Sequence, residues 1–298
     1  MSGGSTSLRG SGNRYTQLVA EALQLTHLPE RTTETLQRAE DNLRRAIALC
    51  PERRDGHGIL AQLITVKDHN EATLEFLRTI DLSIRHDELW AKSVVSVFEH
   101  FQSGALDPSS PPRPAWWTDE TLKSWALEAT QILPEFEWRA ERMLAIVMSA
   151  PVYPWRTWEP GERDADELRT AAASFQRIVK LVGQARKGSL PVRRPLHFAT
   201  ASQRAAARAR LDSARARPRA QLTSQPELLS LTRIRDKDAK LYIELALRCR
   251  RAADGLADGT MTNAALSTLR VAGSSGSGGG AAPPPTVPAE AQAAAPSE

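Results

Sequence analysis

Four arginines carry the clearest chemical pattern in the sequence. Arg204, Arg208, Arg215 and Arg219 follow steps of four, seven and four, which would set their guanidinium groups along one helix face beside Ala205 and Ala209. Such a stripe can neutralise the phosphates of RNA or DNA, attract an acidic protein or lie on an anionic membrane. Residues 184–220 hold ten Lys/Arg against the single acid Asp212, a local net of +9 in a chain of +4, which leaves everything else at −5. The basic character therefore belongs to one segment. Apart from Phe198 no aromatic is interleaved for base stacking, and no bulky apolar face is present for a membrane surface. A solvated Ala/Arg linker is the competing reading.

The tryptophans form the second pattern. All seven lie between Trp90 and Trp158, and Trp116, Trp117, Trp155 and Trp158 fall in two proline-rich breaks. Indoles on surface loops are enriched at binding hot spots, so Trp116, Trp155 and Trp158 are candidates for partner contact. Packing competes closely: Trp117 precedes Thr118, where it can staple onto Leu122 at a helix start.

Other chemistry lacks its usual spacing. The six histidines include no HExxH pair, and there is no GxSxG elbow, GxxxxGK[ST] loop or strand-borne GxGxxG. Cys50 and Cys249 stand far apart, outside any metal-ligand or CxxC spacing. The acids Glu159, Glu162, Asp164, Asp166 and Glu167 suit a helix start better than acid/base work. The expectation is a non-enzymatic protein without a metal or cofactor.

The elements that must position these residues are helices. Apolar residues recur at helical spacing and few segments alternate with period two, so an all-α fold is expected. Tyr15, Leu18, Val19, Ala22 and Leu23 give a first apolar face, and Leu36, Ala39, Leu43, Ala46 and Ile47 a second, ended by Pro51. Asp55 opens the next helix, and Asp68-His69-Asn70 turns the chain into Leu74, Leu77 and Ile80. A third hairpin begins near Glu88 and is interrupted where Pro108, Pro111, Pro112 and Pro114 forbid a continuing helix. Thr118 caps the returning helix, a fourth hairpin starts near Phe136, and Asp164 with Glu167 signals its second helix after the break at 151–161.

The chain thus divides into a disordered leader over 1–14, a helical-repeat domain over 15–185, a basic segment over 186–220, C-terminal helices over 221–271, and a disordered Gly/Ser/Ala/Pro tail over 272–298. No apolar run is long enough to cross a bilayer. The cytoplasm is the default location, with the nucleus or an organelle as alternatives suggested by Arg186-Lys187, Arg193-Arg194 and the acid-free residues before Glu21. The oligomeric state is not legible.

Between Leu36 and Phe98 one pattern repeats after 34 residues: Ala39, Leu43, Ala46 and Pro51 return as Thr73, Leu77, Ile80 and Arg85. Ala39, Leu43, Ala46 and Pro51, with Leu122, Ala126, Ala129 and Pro134, resemble the second helix of the tetratricopeptide repeat (TPR) family. The first-helix pattern appears as His57-Leu60-Ala61-Ile64 and Ala91-Val94-Val95-Phe98, with the family's glycine replaced. The resemblance implies a right-handed α-solenoid of about four helical hairpins, here with a small C-terminal helical unit, whose groove holds a peptide or partner helix. The places that would form the family's carboxylate clamp hold Gly58, Gln62, Lys92, Ser96, Glu141 and Ala145, of which only Lys92 suits an anion. Gln62 and Lys92 remain candidates for groove contact, while the clamp itself is not supported. An adaptor or scaffold that binds a protein partner is therefore expected, with an RNA-processing type of factor, using Arg204, Arg208, Arg215 and Arg219, as the alternative.

Overall fold

Capping residues and the breaks between them fix the helix boundaries. In the computed structural model, residues 5–28, 31–103, 109–134, 137–187, 231 and 233–266 are described, and among them the fold is all-α with no strand. The helices in chain order are α1 (Ser5–Thr26), α2 (Thr33–Leu49), α3 (Arg54–Ile64), α4 (His69–Asp81), α5 (Glu88–Ser103), α6 (Asp119–Ile132), α7 (Trp138–Met148), α8 (Ala165–Arg186) and α9 (Asp236–Ala257). Thr32, Asp68, Thr118 and Asp164 cap α2, α4, α6 and α8 by accepting the backbone N–H three residues on. Asp164 and Glu167 complete a reciprocal capping box.

The described chain forms two compact units that part after His100, residues 109–111 belonging to the first, so the predicted 15–185 domain falls across both. In the first unit α1 packs on α2, α2 on α3 and α3 on α4. Ala39, Leu43, Ala46 and Ala61 are fully buried, and the small members let the helices approach while Tyr15, Leu18, Leu60, Ile64 and Phe76 fill the space. Contact with α5 is just as close, since a Cβ on Gly58 would lie 2.8 Å from Leu89 Cδ1. In the second unit α6 packs on α7, α7 on α8 and α8 on α9. Every residue of α7 except Arg139 is buried, so this helix is enclosed on all its faces.

Serial packing of neighbouring helices in each unit is what a helical repeat requires. Two details depart from expectation. The first helix begins at Ser5, so helix stands where a disordered leader over 1–14 was expected. Once Tyr15, Leu18 and Ala22 are anchored, each residue added upstream gains a backbone hydrogen bond without a new nucleation step. On α4 the inward face is Ala72, Thr73, Phe76, Thr79 and Ile80, which leaves Leu74 exposed. The expected C-terminal helical unit is α9, which packs along α8, with the Phe175 and Tyr242 rings stacked 5.8 Å apart. Arg186 at the end of α8 donates to Asp236 Oδ1 at 2.5 Å and to the Ile234 carbonyl at 2.5 Å, so the chain leaves α8 and re-enters α9 at one place.

Candidate functional site

The proline-rich breaks bring the second unit's aromatic and charged residues together. Asp119 sits in the first turn of α6, where a carboxylate is favoured by the helix dipole. Its Oδ1 accepts from Arg163 Nη2 at 2.6 Å and from the Trp158 indole N–H at 2.8 Å, and its Oδ2 accepts from Arg163 Nη1 at 2.8 Å. Arg163, whose side chain is 0% exposed, also donates to the carbonyls of Gly161, Glu162 and Val147 at 2.9–3.1 Å. One guanidinium thus ties the second break to the end of α7 and the start of α6. Burial pulls the Asp119 carboxyl upward, but the hydrogen bonds from Arg163 and Trp158 win and hold it below the usual carboxylate range. With both oxygens engaged, this carboxylate serves as a structural anchor.

The indoles stand on that frame. Trp117 is 8% exposed and meets the rings of Phe101 and Trp158 edge-on, at centroid distances of 4.9 and 6.3 Å. Trp116 and Trp125 are both half-buried and lie 4.4 Å apart at an interplanar angle of 43°, with Trp116 also 5.8 Å from Trp117. Trp155 is half-buried against Tyr153, edge-on at 5.3 Å. Of the predicted contact residues, Trp158 is therefore packed and hydrogen-bonded inside, whereas Trp116 and Trp155 keep part of their rings at the surface. Trp125 joins them, and it escaped notice because it lies inside a helix rather than in a break.

The predicted groove residues lie in the first unit. Gln62 is exposed on α3, and Lys92 is half-buried on α5 with its Nζ 3.1 Å from Glu88 Oε1 one turn earlier. Of the other clamp positions, Gly58 is buried beneath Leu89, and in the second unit Glu141 is 2% exposed and paired with Arg177 at 3.1 Å while Ala145 is fully buried. Glu141 and Ala145 therefore line no groove, because α7 has no free face. Arg204, Arg208, Arg215 and Arg219 lie outside the described residues. Among the described residues no group of His, Cys, Asp and Glu could hold a metal ion, and no helix is long and apolar enough to cross a membrane.

Arg163 and Asp119 were not legible as a pair. Forty-four residues separate them, and each alone reads as an ordinary charge near a helix start. The exposed apolar side chains Ile84, Ile243 and Leu247 were missed for the same reason, since exposure follows from packing and not from residue type. No family model, curated protein or solved structure matches the chain.

Proposed function

We propose that this protein is a non-enzymatic interaction adaptor, a TPR-like helical-repeat scaffold that holds a partner protein through surface indoles. The observation that supports this reading is the Trp116–Trp125 pair: two half-buried rings 4.4 Å apart on a frame pinned by the fully buried Arg163. Rigid aromatic side chains offer large contact area at little conformational cost, and residues of this kind dominate the energetics of most interfaces. Gln62 and Lys92 on the first unit are secondary contact candidates.

The test is affinity capture from the protein's own cell extract, with and without nuclease, comparing the unaltered chain with Trp116→Ala/Trp125→Ala. Binding through the indole pair predicts that protein partners survive nuclease and that the double variant loses about 30-fold or more in affinity, the effect of removing one interface hot spot. Partners that vanish with nuclease and with Arg204→Ala/Arg208→Ala/Arg215→Ala/Arg219→Ala, but tolerate the indole changes, would replace this reading with nucleic-acid binding.

A further inference from the structure

His57 lies on α3 with 2% of its surface exposed, and both of its ring nitrogens face acceptors. Nδ1 is 2.5 Å from Glu75 Oε2 on α4, and Nε2 is 2.9 Å from the Pro51 carbonyl in the turn between α2 and α3. A carbonyl oxygen can only accept, and so can an ionised carboxylate, so both contacts are hydrogen bonds only when both ring nitrogens carry protons. A neutral ring has one proton. It would leave a nitrogen lone pair facing an oxygen lone pair in a buried site, an arrangement that costs the desolvation of both groups.

We infer that His57 is held as an imidazolium and acts as a pH-sensitive latch, joining α3, α4 and the α2–α3 turn while protonated and loosening when the proton leaves. The competing arrangement, a neutral ring beside a protonated Glu75, would place the proton on the weaker base: an ordinary imidazole binds protons about two pH units more tightly than an ordinary carboxylate. The Glu75 side chain also keeps 18% of its surface in solvent, which supports its charged form. The hydrogen bond to Glu75 raises the His57 pKa above the ordinary imidazole value; burial opposes this, the Pro51 carbonyl adds to it, and Arg78 on α4 lowers it. Several nearby charges pair elsewhere, while Glu52 beside Pro51 and Asp55 on α3 add two further acids to the junction. Glu40 and Arg44 on α2 join Lys67 and Glu71, Arg54 pairs with Asp87, and Arg53 lies 4.2 Å over the Tyr15 ring.

The sign follows from the raised value. The latch contributes fully below the unfolded imidazole pKa, and its contribution is lost as pH rises through the higher folded value. It would therefore loosen the first unit as pH rises above the ordinary imidazole range, where surface carboxylates do not titrate.

The decisive experiment is a nitrogen NMR pH titration of the full chain labelled at histidine. The His57 signal is assigned by its loss in His57→Gln or, should that variant not fold, by through-bond correlation of the ring to the His57 backbone amide. Both ring nitrogens of His57 are expected to be protonated at pH 6, and its midpoint is expected above the ordinary imidazole value of about 6.5. Glu75→Gln should move the midpoint down towards that ordinary value. Between pH 6 and pH 9 the unaltered chain should lose roughly 3–10 °C of melting temperature, and Glu75→Gln should abolish most of that pH dependence. A His57 midpoint at or below the ordinary imidazole value, a ring protonated only on Nε2 at pH 6, or a midpoint indifferent to Glu75→Gln would each overturn the latch.

Discussion

The two units are built from the same helical vocabulary but bury it differently. In the first, α1 to α4 lie one on the next, each hiding one stripe, and the arginine pairs sit nearer the rim, Arg44 with Glu40 and Glu71 and Arg54 with Asp87 before α5, while the His57–Glu75 pair lies deeper. In the second, α7 is enclosed on every side, and the enclosure takes in charges such as Glu141, Arg142 and Arg163. The aromatic break residues Trp117, Tyr153 and Trp158 are buried in the same unit. Where a helix keeps a free face, apolar periodicity goes most of the way to placing it. Where a helix has none, its polar residues need dedicated partners, as Glu141 has in Arg177 of α8.

The largest effect is expected from Arg163→Met. This change leaves the Asp119 carboxylate without its buried counter-ion and three carbonyls without a donor, and it should destabilise the second unit by about 3–5 kcal/mol. Six of the seven tryptophans lie in that unit, Trp90 being the exception, so denaturant unfolding followed by fluorescence should shift before the circular dichroism of the whole chain does. Coincident shifts would show that the units do not unfold separately.

Leu43→Ala probes the other side, at a fully buried position on α2. It should cost about 2–5 kcal/mol in the first unit, seen in circular dichroism with little change in the fluorescence transition. Tyr15→Phe is a milder probe of the same unit. The Tyr15 hydroxyl accepts the Gly56 backbone N–H at 2.8 Å, and its loss leaves a buried donor unpaired, about 1–3 kcal/mol by the same measurement.

Titration should separate the units in direction more than in size. The hydrogen bond from Arg44 lowers the Glu71 pKa; Asp87 and Asp119, although burial pulls them up, are lowered by their arginine partners. Both units should therefore lose stability as pH falls below about 4, through these depressed values. On the alkaline side burial pushes the Cys249 thiol in the second unit up to about 12, so that unit should weaken only above about pH 9, when the unfolded thiol ionises. The first unit, through His57, should begin to weaken sooner. Amide exchange of α3 and α8 between pH 6 and pH 9 checks the order, and equal losses would erase the distinction.

Much of the fold was legible because helices announce themselves locally. Thr118 and the Asp164/Glu167 box stand where the caps were expected, and Ala39, Leu43 and Ala46 face inward as their spacing required. The phase of α4 was less legible, since Leu74 and Phe76 are both apolar and only the neighbouring helices decide which of them finds room.

Apart from residues 5–14 of α1, the sequence by itself determined which segments become helices and where they stop, because capping, proline exclusion and apolar period act within a few residues along the chain. Only the tertiary structure decided that α7 has no free face, that Arg163 belongs to Asp119, that Trp158 is an anchor while Trp116 and Trp125 reach the surface, and that His57 lies between two acceptors. Each of these depends on groups brought together from distant parts of the chain. Burial, which sets both the strength of a charge pair and the exposure of a ring, is a property of that assembly and not of any residue within it.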